Sequence, residues 1–237
     1  MKPLYTLVVG AAPTRRVDDA FYRRLMEGAS RVVAVDGGAG LCLRCDRTPD
    51  IVIGDMDSIQ TEVLERLESE GVPLRRFPKD KDITDLDLAL AEVARTSLTQ
   101  VVLTACLGAR VEHTLATLGS MARHADLSPV AREPDQTCWV LASSGRDSIA
   151  LPAPGTTFSV MALQARALVS LNGVRYPLTQ YLMDPLSSLG ISNVVTEEHA
   201  TAQVDMGVLL VTVPVPLGFH ESPSTPPDCD GNADEAV

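Results

Sequence analysis

Aromatic side chains are scarce. They make up 4% of the 237 residues, so Val, Leu, Ile and Ala must build the core. Positive charge is also short: 20 Lys and Arg stand against 31 Asp and Glu, a formal net charge of -11. Such a chain is poorly suited to grip nucleic acid or an anionic membrane by charge. Local phosphate binding through backbone N–H groups, a single Arg or a metal is compatible with this charge. No apolar run approaches the ~20 residues that cross a bilayer. Lys2 followed by residues 4–12 has the outline of a signal peptide, but the run is short and carries one basic residue; it reads better as a first strand, and the expected compartment is the cytoplasm. Five cysteines, at 42, 45, 106, 138 and 229, form no disulfide framework. Cys42 and Cys45 make a CxxC, yet there is no second pair for zinc, and Leu43-Arg44 is not a thioredoxin-like linker. Two buried helical thiols are expected there. GxxxxGK[ST] is absent, and no GxGxxG follows either of the first two predicted strands.

What is present is ordinary globular composition, 45% hydrophobic and 22% charged, enough for one large domain or two modest ones. Apolar runs predict strands over 4–9, 31–35, 51–53, 72–77 and 100–105. Helical spacing falls between them: 17–28 with Phe21, Leu25 and Met26 on one face, 40–45, and 61–70 closed by Gly71. Leu86, Ala89, Leu90 and Val93 mark another amphipathic helix, and Glu112-His113-Thr114 opens the next. The character changes after about Ser128. Short β-like segments follow, at 137–142, 149–151, 157–163, 167–171, 194–195 and 208–213, separated by Pro and Gly, as in a sandwich. Residues 214–237, rich in Pro, Asp, Ser and Glu, are expected to be disordered.

The chemistry gathers at strand ends. Residues 49–58 read PDIVIGDMDS. Asp55 and Asp57, two apart, point to one side just past a strand's carboxyl end, where open α/β sheets bind ligands. Paired carboxylates suit a hard cation such as Mg²⁺, which usually comes with phosphates. A surface turn explains the same residues. Asp80, Asp82, Asp85 and Asp87 surround the start of the 86–93 helix. Asp82 three before Asp85 resembles a cap, and first-turn acids favour the helix dipole. If this helix starts beside strand three, Asp82 and Asp85 face Asp55 and Asp57, and four such carboxylates demand a cation. Asp36-Gly37-Gly38 closes the second strand, with glycines that let backbone approach a ligand. Arg110 is suited to bidentate phosphate binding before a helix N-terminus. His113, taken alone, reads as structural.

In order, VDGGAG (35–40), PDIVIGDMDS (49–58), KDKDITDLDLAL (79–90), LGARVEHTL (107–115), LNGVRYPL (171–178) and GISN (190–193) resemble the thiamine pyrophosphokinase family. The resemblance implies an N-terminal Rossmann-like, mostly parallel α/β sheet domain followed by a smaller C-terminal β-sandwich domain. The corresponding bounds are 1–135 for the nucleotide-binding part, 136–217 for the thiamine-binding part and 218–237 for a disordered tail. It implies a homodimer with the site at the subunit interface and transfer of pyrophosphate from ATP to thiamine with Mg²⁺; that no nucleic acid or membrane partner is expected follows from the charge and the apolar runs above. Asp55, Asp57, Asp82 and Asp85 would form the catalytic metal and phosphate centre. Asp36, Gly37, Gly38, Arg110 and His113 would surround the nucleotide. Ser192 and Asn193 would meet the thiamine pyrimidine from the partner subunit, with Tyr176 stacking or packing nearby. Ala109, Glu112 and Met56 depart from the usual GGRxDHT and GDFDS forms. The rival readings are a pyrophosphokinase for another hydroxymethyl heterocycle, such as a pterin, and a non-catalytic ATP or thiamine binder.

Overall fold

The computed structural model describes residues 5–96, 100–108 and 110–214. Residues 215–237 of the expected disordered tail, Cys229 among them, and Ala109 therefore lie outside the described residues. The first half alternates strand and helix. Strand β1 (Tyr5–Val9) leads through a short 3-10 turn to α1 (Asp19–Gly28), then β2 (Ala29–Val35), α2 (Gly38–Arg44), β3 (Ile51–Gly54), α3 (Thr61–Ser69), β4 (Leu74–Arg76), α4 (Asp85–Thr96), β5 (Gln100–Thr104) and α5 (Val111–Arg123). Strand β6 (Val130–Glu133) follows and turns tightly into β7 (Gln136–Ala142). Then come β8 (Ser148–Ala150), β9 (Thr157–Ala162), β10 (Ala167–Asn172), β11 (Leu178–Met183), β12 (Asn193–Val194), β13 (Thr201–Met206) and β14 (Val208–Val213).

One ten-stranded sheet, in the order β12-β9-β14-β7-β6-β5-β1-β2-β3-β4, runs through most of the molecule. Its β6-to-β4 part is parallel, and β6–β7 begins the antiparallel part. The parallel strands are apolar on both faces because helices cover both. Leu7, Val9, Val32 and Ala34 pack with Tyr22, Leu25, Met26 and Leu67 from α1 and α3. Their sequence neighbours Val8, Val33 and Val35 face the other way, onto Ala89, Leu90 and Val93 of α4 and Met121 of α5. This is the alternation expected of extended chain.

At the antiparallel end the cover changes from helix to sheet. Strands β11-β10-β13-β8 form a second sheet. Its Val169, Leu171, Ala202 and Val204 pack on Trp139, Leu141, Phe158, Val160, Leu209 and Val211 of the large sheet. The molecule is thus mixed α/β with a second, β-rich part, and the two parts share a continuous sheet rather than being joined by a linker.

Several expected elements differ in detail. The buried aromatic of α1 is Tyr22, with Phe21 only partly covered. Strands β6, β11 and β13 escaped the sequence reading. Their short runs mix Arg, Glu, Gln and Asp with apolar residues, and they are strands because of the neighbours they pair with.

Candidate active site

In the parallel part, β1 to β4 add in one direction and β5 adds on the other side of β1. Such a reversal opens a crevice at the carboxyl ends of the strands, the usual ligand position in open α/β sheets. The register puts the ends of β1, β2, β3 and β5 side by side. The residues there are Gly10, Asp36, Asp55 and Ala105.

Three of the eight non-glycine residues with positive φ among the described residues lie at this edge. Asp36 (φ 44°), Met56 (φ 69°) and Ala105 (φ 51°) all sit in the left-handed region, each at a cost on the order of 1 kcal/mol that the surrounding contacts must offset. Asp36 is held by the Met56 N–H, which donates to its Oδ1 at 3.1 Å. Its carboxylate lies against Gly54, where an added Cβ would come within 1.8 Å of Asp36 Oδ1. The glycine of GDMDS is therefore required by the aspartate that ends the neighbouring strand. Gly37 N–H donates to Ser58 Oγ at 3.0 Å. Gly38 packs so closely on the end of β1 that a Cβ would lie 2.3 Å from the Val9 carbonyl oxygen.

The acids divide into distinct environments. Asp36 is half-buried, and its carboxyl is pushed up to about 6, first by burial and then by the Asp85 and Asp55 carboxylates. Asp55 Oδ1 accepts the Asp57 N–H at 3.0 Å. Asp57 itself is exposed and paired with Lys79, whose ammonium holds its carboxyl below the usual range. Asp85 opens α4; Lys81 Nζ lies 3.1 Å from its Oδ1. That contact is an ion pair without a directed hydrogen bond, and the oxygen is buried with no hydrogen-bond donor. Asp82 is exposed in the loop before α4. The expected four-aspartate cluster is thus not drawn together: among the described residues no three His, Cys, Asp or Glu side chains are grouped to hold a metal. Asp36, Asp55 and Asp85 are the acids that share an electrostatic environment. Their hard oxygen donors, mutual repulsion and one orphaned oxygen suit a hard cation.

The helix start is also capped differently from the expectation. Thr84 Oγ1 accepts the Asp87 N–H at 3.2 Å and donates to Asp87 Oδ2 at 2.8 Å. Asp87 is buried and paired with Arg123 of α5 through Oδ1 at 2.7 Å. Burial opposes its charge, but the Arg123, Ser120 and Thr84 hydrogen bonds prevail and lower its pKa. Asp87 therefore ties α4 to α5, while Asp85 lies beside Asp36.

Beyond β5, Arg110 is the N-cap of α5; its exposed guanidinium is bonded to Glu112 at 2.5 Å. His113 is exposed on the first turn of that helix. In the sandwich, Ser192 has φ 57° and its N–H donates to Ser159 Oγ at 3.0 Å. Asn193 is buried at 2% exposure. Its amide clamps the Tyr176 backbone, accepting the N–H at 3.1 Å and donating to the carbonyl at 2.9 Å. The Tyr176 ring is exposed. Cys42 and Cys45 are buried free thiols.

Some charged neighbours of these residues were not singled out from sequence. Lys79 and Lys81 alternate with the acids in KDKD, a legible signal that only charge counting would have used. Buried Glu133 has no local signature: Glu-Pro-Asp reads as a turn.

The fold and the site define an α/β protein with an acidic, strained ligand edge on a parallel sheet, coupled to a β-sandwich. Two family models match in order. "Thiamin pyrophosphokinase, catalytic domain" covers residues 22–130, and "Thiamin pyrophosphokinase, vitamin B1 binding domain" covers residues 148–209. The chain belongs to the thiamin pyrophosphokinase family. It is similar to "Thiamine pyrophosphokinase 1" of Arabidopsis thaliana, 26% identical over 210 residues, with 78% of each chain covered. Among solved structures it is similar to the thiamine pyrophosphokinase from Bacillus subtilis, with TM-score 0.73 and 21% identity, covering 90% of this chain and 100% of that one. The yeast thiamin pyrophosphokinase gives TM-score 0.69 at 13% identity, covering 90% and 87%. At these identities the solved structures speak for the fold.

Proposed function

We propose that the chain transfers the pyrophosphoryl group of ATP to the hydroxyl of thiamine, giving thiamine diphosphate and AMP. The observation that carries this reading is the ordered match to both the catalytic and the vitamin B1 binding family models. The acidic ligand edge lies within the first. In this reading the N-terminal part is a Rossmann-like nucleotide domain to about residue 135, and residues 136–217 bind thiamine.

The reaction forms a bond from the thiamine hydroxyl oxygen to the β-phosphorus and breaks the bond from that phosphorus to the α–β bridging oxygen. AMP leaves with the electron pair, and the hydroxyl proton passes to a carboxylate. Positioning and charge neutralisation are the protein's main contributions. Asp36, Gly37 and Gly38 bring backbone and a carboxyl close to the nucleotide, while Arg110 meets phosphate once it exchanges Glu112 for it. His113 lies on the same first turn of α5. Asp85 is our choice for the proton acceptor. Asp57 and Asp82 line the exposed rim. Lys79 and Lys81 balance charge until substrate arrives. Asp55 and Asp85, with Asp36 beside them, would hold Mg²⁺, which would supply charge neutralisation for the phosphates and the leaving AMP.

Thiamine carries a positive thiazolium, which an acidic edge attracts. Ser192 and Tyr176 are its proposed contacts, and Asn193, next to Ser192 in the chain, clamps the Tyr176 backbone. A homodimer with the site at the subunit interface would bring these residues to a partner's nucleotide edge. Exposed Tyr181, Leu182 and Met206 on the small sheet, with Leu186, Leu189 and Ile191, support such a contact.

The test is direct: incubate the protein with ATP, Mg²⁺ and either thiamine or hydroxymethylpterin, and measure AMP. Thiamine-dependent AMP with matching thiamine diphosphate is expected. AMP only with the pterin, or tight ligand binding with no AMP, would refute the assignment.

A further inference from the structure

Glu133 is buried at 5% exposure, and the reaction above gives it no part. It ends β6, which runs parallel to β5. Its carboxylate accepts three successive backbone N–H groups just past the end of β5. Ala105 N–H donates to Oε2 at 3.1 Å, and Cys106 and Leu107 N–H donate to Oε1 at 2.8 and 3.2 Å. Successive N–H groups turned to one point form an anion nest, and here a side chain of the same protein fills it. The next part of the connection is fastened to α5. Gly108 N–H donates to Thr114 Oγ1 at 3.0 Å, and Thr117 Oγ1 donates to the Cys106 carbonyl at 3.1 Å. The β1 loop leans on the same segment. Ala12 N–H donates to the Ala105 carbonyl at 2.8 Å, and a Cβ on Gly10 would lie 2.5 Å from that oxygen. This is where the sheet order reverses. Ala105, at φ 51°, needs outside support for its backbone, and the Glu133 carboxylate supplies it on both sides of that residue.

We infer that Glu133 is a positioning residue for ATP: by filling the nest it fixes the connection from β5 to α5, and so the point from which Arg110 meets phosphate. This rests on the pyrophosphokinase reading. The nest's amides are used internally, so the phosphate-binding power of this loop lies in the Arg110 side chain and the start of α5.

Burial pushes the Glu133 carboxyl up to about 7, despite the three N–H groups that lower it; Asp135 adds to the rise. The other groups facing it are Tyr22 on α1, Cys106 beyond β5 and Cys138 on β7. Burial first, then Glu133's charge, pushes each of them up. They stay neutral near pH 7, which leaves Asp135 as the charged neighbour. Protonation of Glu133 removes the charge that binds the nest, so the grip on the loop weakens as pH falls through about 7.

The test compares wild type with E133Q from pH 6 to 9, using AMP release for KM and equilibrium dialysis for ATP affinity. E133Q should raise the KM for ATP by about tenfold at pH 8 and leave the KM for thiamine within about twofold. Wild type should lose ATP affinity as pH falls through about 7, beyond the loss that ATP's own titration causes in E133Q. An unchanged ATP affinity, a parallel rise of both KM values, or identical pH profiles would overturn the inference. If circular dichroism shows E133Q misfolded, E133D decides: it keeps the charge on a shorter arm, so ATP affinity should fall while the wild-type pH limb persists. Wild-type affinity in E133D would then overturn it. Wild type that binds ATP but makes no AMP from thiamine would refute the function, and the dialysis comparison would still decide the role of Glu133.

Discussion

Single side chains at the sheet edge are chosen by their neighbours more than by their own type. Four aspartates within 31 residues of sequence look alike on paper. In the fold Asp57 faces a lysine at the surface, Asp55 closes a turn, Asp85 shares space with Asp36, and Asp82 points outward. The proposed function gives Asp57 a rim position next to Asp55, so charge there should matter for turnover and little for folding. D57N is expected to lower kcat by at least about a hundredfold, with the thermal midpoint nearly unchanged because its ion pair is exposed. Near-normal AMP release by D57N would show that the rim charge at Asp57 plays no part in turnover. The GDMDS motif was legible in sequence as an acidic strand end. That its glycine serves Asp36, a residue of another strand, was not, because the clash that demands it is a contact between strands.

Among the elements, α4 shows how local signals mislead by a residue or two. Asp82 and Asp85 have the spacing of a cap, but the cap that forms joins Thr84 to Asp87 and anchors Asp87 on Arg123. The choice depends on α5 lying alongside, a tertiary fact. T84A should cost on the order of 1 kcal/mol, the usual worth of a helix N-cap, read as a lower urea midpoint with unchanged slope. Its kcat at saturating substrates should stay near wild type. Loss of activity without loss of stability would mean that Thr84 serves the ligand directly. The apolar face of the same helix, Ala89, Leu90 and Val93, was legible from period alone.

The whole molecule carries opposed pH responses. Asp36 and Glu133 have raised folded pKa values, of about 6 and about 7. The folded state then binds protons that the unfolded chain releases, so their stabilisation is present below the ordinary carboxylate range and is lost as pH rises through 6 to 7. Asp87 and Glu112 are lowered, Asp87 by Arg123 and its other hydrogen bonds against burial, Glu112 by Arg110. Their contribution is lost as pH falls below about 4. Urea midpoints should therefore be higher at pH 5 than at pH 8, and E133Q should flatten that difference. A midpoint that rises from pH 5 to pH 8 would contradict these environments. At the same scale, the exposed apolar face of the small sheet predicts an oligomer. Sedimentation should give twice the chain mass, and charged residues replacing Leu182 and Met206 should shift it to the monomer with loss of AMP output. A wild-type monomer that retains full activity would exclude a site shared between subunits.

The sequence alone determined the alternating strands and helices of the first half, the β character of the second and the acidic strand ends. Each rests on signals carried by neighbours along the chain: period, turn residues and apolar runs. Tertiary structure decided which acids meet, which one caps α4, that Asn193 serves the Tyr176 backbone, and that Glu133 fills a nest 26 to 28 residues away in sequence. It also made one sheet of both halves. These are contacts between distant segments, and their energy comes from burial and desolvation, which a residue acquires only when the rest of the chain has packed around it.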